Sequence, residues 1–266
     1  MATSEPTFGI QRLHRSGTLE RFAFRLFGVA DPAHWLHFRY FQRALALWPR
    51  FSPRRILDAG CGRGDFSVYL AQRFPGAEVV GADVDAERVA VCQAAADRMG
   101  LSNVRYRVQD LTRLDPREQF DLIVSVDVLE HIVDQQMALL NLASALAPGG
   151  RFYFHIPTIR TRPVPLSPWL KKFHEWAERE HLADDLTAEQ FVERVRQAGL
   201  TPAVEWRTFA YRAGELATSL FALPYANTLL NRIAQISLIP VCRVLVMADH
   251  RVRTGHHYAV AVAGSR

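Results

Sequence analysis

Residues 56–64 read ILDAGCGRG, and Asp65 follows directly. An apolar run passing straight into three glycines predicts a strand, a tight loop and the start of a helix. Loops of this kind commonly offer backbone N–H groups to phosphates. Here Asp58 stands two residues before the first glycine and Asp65 directly after the last. Both would repel a pyrophosphate. The spacing Gly60-x-Gly62-x-Gly64 also departs from the G-x-G-x-x-G of dinucleotide sites. A cationic ligand reverses the argument, because a carboxylate then attracts it. Gly60 and Gly62 would admit such a ligand close to the backbone, with no Cβ in the way.

Around this stretch the chain alternates regularly. DFSVYLAQRF reads as a helix ending before Pro75-Gly76, and AEVVGAD as a second strand. Asp85 has the character of an N-cap for AERVAVCQAAADRM, which Gly100 stops. NVRYRVQD, FDLIVSV and RFYFHIP read as three further strands, and the helix before the last of them is expected to end at Pro148-Gly149-Gly150. Strand–helix alternation with β-branched runs argues for a parallel sheet covered on both faces. Thr187-x-x-Gln190 is a capping box opening AEQFVERVRQ, and Gly199 closes that helix. VEWRTFAY and HYAVAVAG then read as a strand pair separated by a long insertion.

Acids recur at the strand ends. Asp83 closes the second strand 19 residues past Gly64, where an acid accepts both ribose hydroxyls in nucleoside-binding sheets. Asp110 closes the third strand, placed to accept an adenine amino group while the Leu111 N–H serves a ring nitrogen. ILDAGCGRGD, VVGADVD, VQDL, FDLIVSVDVLEHI and LAPGGRFYFHIP together resemble the motif series of class I S-adenosylmethionine-dependent methyltransferases of the small-molecule type. The resemblance is close over about residues 50–160 and looser beyond. It implies a Rossmann-like α/β fold with seven strands, mostly parallel, the last antiparallel. It also implies S-adenosyl-L-methionine as cofactor, S-adenosyl-L-homocysteine as product, and cofactor contacts from Asp58, Ala59, Gly60, Cys61, Gly62, Asp83, Val84, Asp110, Leu111 and Val126.

The acceptor is less legible. Methyl transfer from a sulfonium needs in-line positioning, and a base only when the acceptor must lose a proton. No Asn/Asp-Pro-Pro-aromatic motif follows the fourth strand, and of the paired glutamates an arginine methyltransferase needs only Glu130 is present. Nucleic-acid bases and arginine are therefore disfavoured. A small acceptor is expected, apolar or linked to a lipid or sugar, with oxygen the favoured atom and nitrogen or carbon left open. His131 and His155 are the candidate bases because they stand at strand ends, whereas His174, Glu175 and His181 fall in an insert over residues 158–186. Asp127, Glu130 and His131 resemble the acid-x-x-Glu-His cluster that holds magnesium in ubiquinone-biosynthesis O-methyltransferases. Magnesium prefers oxygen ligands, and L-E-H also occurs in metal-free relatives, so no metal ligand is assigned. A magnesium-assisted quinone or catechol O-methyltransferase stands as one rival reading. A module that binds the cofactor without turning it over stands as another.

Composition adds boundaries. The 266 residues carry a net charge of +5, and residues 1–55 hold nine arginines against Glu5, Glu20 and Asp31, so the basic excess is N-terminal. Cys61, Cys92 and Cys242 are widely spaced, which argues for a reducing compartment, and no charged-then-apolar leader follows Met1. The cytoplasm is the expected location. Residues 1–50 are read as an N-terminal helical cap and 51–266 as the cofactor domain, with insertions at 158–186 and 211–254. Residues 217–248 contain only Arg232 and Arg243 as charges, and Pro224 and Pro240 divide them below the ~18 apolar residues of a span. Three readings are open for this segment: extra core or a homodimer interface, a lid over an apolar acceptor, or docking on a membrane surface beside the basic N-terminal helices.

Overall fold

The computed structural model describes residues 32–115, 117–159, 186–208, 241, 244 and 259–266. The expectations for residues 1–31 and for most of 158–186 and 211–254 lie outside these residues. Helix α1 (Pro32–Ala46) comes first, with proline at its opening position, where the missing N–H costs nothing. Then follow β1 (Arg55–Ala59), α2 (Asp65–Arg73), β2 (Glu78–Asp83), α3 (Ala86–Arg98), β3 (Val104–Val108), β4 (Phe120–Val126), α4 (Gln135–Ala145), β5 (Leu146–Pro157), α5 (Ala188–Gln197), β6 (Thr201–Thr208) and β7 (Ala259–Ser265).

The seven strands form one sheet in the order β3-β2-β1-β4-β5-β7-β6. Pairings from β3 through β5 are parallel, and β7 runs antiparallel to both β5 and β6. The order reverses between β1 and β4, and open α/β sheets bind ligands outside the carboxyl ends of the strands at such a point.

Side chains alternate across the sheet with period two, and this assigns each residue to a layer. Ile56, Val79, Leu122, Val124 and Tyr153 face the layer of α1 and α2, where Phe38, Phe41, Phe66 and Tyr69 pack. Leu57, Val80, Ile123, Phe152 and Phe154 face α4 and α5, meeting Leu139, Leu142, Phe191 and Val195. Strand β7 divides its residues likewise, Ala259, Ala261 and Ala263 toward α1 and Val260 and Val262 toward α5. Helix α1 lies flat on its side of the sheet: Phe38 stacks on Phe66 at 4.0 Å, Phe41 tilts against Tyr153, and Tyr40 meets Trp206 of β6.

Caps foreseen in the sequence are in place. Asp85 accepts N–H bonds from Glu87 and Arg88, and Thr187 and Gln190 form the reciprocal capping box of α5. One boundary differs: α4 ends at Ala145 and β5 begins at Leu146, with Pro148-Gly149-Gly150 inside the strand. A register shift opposite Phe120–Leu122 absorbs that segment, so the glycines serve a bulge and not a helix stop. Among the described residues no helix is long and apolar enough to cross a membrane.

Phe41 is fully buried between α2 and β5. Phe41→Ala is expected to cost about 3–5 kcal/mol of unfolding free energy, read from urea denaturation.

Candidate functional site

At the carboxyl end of β1 the chain folds back over β2. The N–H groups of Gly60 and Cys61 both donate to the Ala82 carbonyl, at 2.8 and 2.9 Å. Gly62 N–H donates to Asp83 Oδ2 at 2.8 Å, and Asp85 N–H donates to Oδ1 at 3.0 Å. Asp83 thus locks the glycine loop, a role the sequence alone does not reveal, while remaining only partly buried. Gly60, Gly62 and Gly64 all hold positive φ, and Gly64 caps α2 in the left-handed conformation. A Cβ on Gly60 would lie 2.3 Å from Val128, whereas one on Gly62 would meet nothing within 4 Å. The first glycine therefore permits contact with the loop after β4. The second borders open space of the kind a ligand occupies.

Asp58 lies beneath this loop, 3% exposed, and its Oδ2 accepts the Ser67 hydroxyl at 2.5 Å. Burial pushes its carboxyl up to about 7, partly offset by the Ser67 bonds. Ala59 is buried, and the Cys61 thiol is pushed far up by its hydrogen bond to Cys92 and then by burial. Val84 follows Asp83 with 67% of its surface exposed, an unusual state for a valine at a sheet edge and one suited to contact with a flat apolar ring. Asp110 accepts the N–H and hydroxyl of Thr112, which hold its carboxyl below the usual range. It thereby caps a 3-10 turn (Leu111–Arg113) whose first N–H, that of Leu111, has no acceptor within the turn.

A second group assembles where β4 and β5 end. Val126 pairs with His155 in the sheet, and Asp127 N–H extends that pairing to the His155 carbonyl at 3.0 Å. Asp127 adopts φ 53, the single non-glycine residue with positive φ among those described. That turn carries its side chain over the α1 layer, the layer in which His155 follows Tyr153 by two positions. Asp127 Oδ1 lies 2.6 Å from His155 Nδ1, and Oδ2 lies 3.3 Å from His37 Nε2. The two imidazoles are 4.4 Å apart, and both histidines are buried. The other predicted base, His131, has a half-exposed ring whose Nε2 sits 3.9 Å from Glu130 Oε1, on a 3-10 turn (Leu129–His131) whose Leu129 and Glu130 are buried.

A family model described as a methyltransferase domain matches residues 33–204 of the sequence. This chain belongs to the class I S-adenosylmethionine-dependent methyltransferases. A ubiquinone biosynthesis O-methyltransferase of Bradyrhizobium sp. is 36% identical over 114 residues, 42% of this chain and 43% of that protein. A demethylmenaquinone methyltransferase of Thermus thermophilus is 39% identical over 114 residues, 42% of this chain and 51% of that protein. The chain thus spans about half the length of these curated relatives. Among solved structures, phosphoethanolamine N-methyltransferase 2 of Haemonchus contortus in complex with S-adenosyl-L-methionine superposes with a TM-score of 0.60 at 20% identity, over 96% of this chain and 59% of that one. Coclaurine N-methyltransferase gives 0.60 at 17% identity, over 88% and 72% of the two chains.

Of the acid-x-x-Glu-His cluster named as a rival reading, Asp127 is grouped with His37 and His155, whose ligand atoms lie within 4.8 Å of one another, and not with Glu130 and His131. Asp127 turns toward the two histidines, and the Glu130 carboxyl is buried and pushed well up by desolvation and then by Asp127. His37 is the member of this cluster that sequence reasoning missed. Its signal was a histidine four residues before Phe41 and seven before Ala44, on the apolar stripe of α1.

The two neighbouring glycines yield a differential test. Gly60→Ala and Gly62→Ala both impose a positive φ worth about 1–2 kcal/mol. Only Gly60→Ala adds a collision, with Val128, so it should lose clearly more stability in urea melts, and Val128→Ala should restore part of the difference.

Proposed function

We propose that this chain transfers the methyl group of S-adenosyl-L-methionine to an oxygen of a small acceptor, apolar or linked to a lipid or sugar. When bound, the cofactor supplies a methyl group on a positively charged sulfur. The observation that carries the choice of oxygen is the His155–Asp127 pair beside the glycine loop. A hydroxyl must lose its proton as it attacks, whereas a neutral amine attacks without help, so a buried base is of use chiefly to an oxygen acceptor. The naming of one relative as an O-methyltransferase supports the same direction.

An ionised Asp127 can only accept hydrogen bonds, so His155 donates Nδ1–H to it and presents Nε2 as the basic nitrogen. With cofactor and acceptor held there, His155 would take up on Nε2 the proton that the acceptor hydroxyl loses on methylation. His131 is assigned to the edge of the acceptor pocket, where its half-exposed ring contacts the acceptor. Asp58, Ala59, Gly60, Cys61 and Gly62 form the cofactor's methionyl end, with Asp58 answering its ammonium. Asp83 with Val84 holds the ribose, Asp110 with Leu111 and Val84 the adenine, and Val126 the floor below the methyl group. Incubating the protein with methyl-labelled cofactor and cell extract, followed by mass spectrometry, should yield a labelled methyl ether or ester. A label found on nitrogen, or no turnover at all, would overturn this reading.

The Asp58 assignment has a pH signature. Free Asp58 is largely neutral below about pH 7, and a cation beside it favours the ionised form. Binding then releases a proton, so affinity for S-adenosylhomocysteine should rise about five- to tenfold from pH 6 to 7.5 by calorimetry, and Asp58→Asn should flatten that rise. Asp83→Ala should weaken the same ligand by about 1–3 kcal/mol. Unchanged affinity would remove Asp83 from the ribose site.

A further inference from the structure

Three elements distant in sequence meet at one point: α1 brings His37, the turn after β4 brings Asp127, and β5 brings His155. One donor atom from each, two imidazole nitrogens and a carboxylate oxygen, lies within 4.8 Å of the other two. Two separations are shorter, 2.6 Å from His155 Nδ1 to Asp127 Oδ1 and 3.3 Å from His37 Nε2 to Asp127 Oδ2. Zinc binds imidazole nitrogen and carboxylate oxygen at about 2.0–2.2 Å, which sets neighbouring ligands of a tetrahedral site about 3.3 Å apart. Every separation here falls within about 1.5 Å of that figure, a difference that side-chain rotation can close. Asp127 is held in place at a backbone cost, since it occupies the left-handed region, where strain gathers at functional positions.

The surroundings narrow the choice of ion. Both histidines are buried and Asp127 is partly so. Two imidazoles with one carboxylate suit zinc, cobalt, nickel or iron, whereas magnesium asks for oxygen. Three protein ligands leave a coordination position open to water. On the same face of β5, two positions before His155, the fully buried Tyr153 hydroxyl has no hydrogen-bond partner among the described residues. Burial, and then the charge of Asp127, push that hydroxyl well above its usual range. It stays a neutral donor, and a metal-bound water would supply the acceptor it lacks.

We propose that His37, Asp127 and His155 form a binding site for one divalent transition metal, whose occupancy switches off His155 as a base. The binding stands on the cluster alone, and the switch rests on the reading of His155 as proton acceptor. A ligating imidazole is neutral, with one nitrogen on the ion and a proton on the other. His155 meets Asp127 through Nδ1, so an ion at the cluster takes Nδ1 and the ring's single proton moves to Nε2. The Nε2 lone pair that would receive the acceptor's proton is then used up. Ion and proton acceptor are alternatives at this residue, and a chain that holds the ion keeps its glycine loop unchanged.

The test counts the metal directly. Full-length protein without a tag is dialysed against zinc chloride and then buffer, and zinc is measured by elemental analysis. Wild type should keep one equivalent per chain. His37→Gln, which preserves most of the packing, and Asp127→Asn, tolerated at positive φ, should lose it, while His131→Ala should keep it. Cobalt(II) reads the donors in the wild-type protein without any variant: visible d–d bands should appear, without the near-ultraviolet band of thiolate ligation. No retained zinc, a thiolate band from Cys61 or Cys92, or retention in His37→Gln with loss in His131→Ala would each overturn the site. Nitrogen-15 NMR of histidine-labelled, zinc-loaded protein should show His155 protonated on Nε2, and a proton found on Nδ1 would overturn the switch. Methyl transfer to the labelled acceptor should fall about a hundredfold or more with zinc and return with EDTA. Transfer unchanged with zinc in place would remove His155 as the base and overturn the switch, while the site itself stands.

Discussion

The carboxylate of Asp83 is the tie on which the rest of the site depends. It stands at the end of β2 and accepts the N–H of Gly62 across from β1, so the glycine loop cannot move independently of the sheet. A second N–H, from Asp85, fixes the same carboxylate while Asp85 caps the next helix. Loop, strand end and helix start are thereby one rigid unit. Because Gly60 in turn lies against Val128, the unit also fixes the distance between the cofactor loop and the turn after β4 that carries Asp127. The glycine loop and the turn carrying Asp127 are thus held together by the Val128 side chain packed on Gly60.

The charge balance in this region is unusual. Asp58 and Glu130 are both buried, and desolvation pushes both carboxyls upward. No lysine or arginine among the described residues is paired with either in the structure. Asp58 is instead matched by a serine hydroxyl, a partner that stabilises a carboxylate but does not neutralise it. A buried carboxylate of this kind disfavours a phosphate and favours a ligand that brings its own positive charge. The carboxylate that sets ILDAGCGRG apart from a phosphate cradle is therefore the feature on which the proposed preference for a cationic ligand rests.

How much of this was legible follows from the range of the interactions involved. The glycine loop, the acids at the ends of β1, β2 and β3, the Asp85 cap and the capping box of α5 depend on residues near in sequence, and each stands where expected. The antiparallel last strand follows from the motif series and is found beside β5. The end of α4 was misplaced because Pro148-Gly149-Gly150 is ordinary helix-stop chemistry, overridden here by pairing with β4. His37 was invisible for a different reason. Its role exists only once α1 has docked and once Asp127 has turned into the left-handed region, and neither event leaves a local trace. A histidine on an apolar stripe is more often a satisfied core residue, and nothing nearby in sequence says otherwise.

Strand β7 presents only alanine methyls to the α1 side, at Ala259, Ala261 and Ala263. It lies between β5 and β6, and α1 reaches across it from Tyr153 to Trp206. Those methyl groups set how closely the helix can settle, and so the reach of His37. In chain order the residues that level this platform follow the helix that rests on it, with the other strands of the sheet between them. During synthesis the helix is therefore made well before its platform, so the docking that sets the position of His37 is a late event in folding.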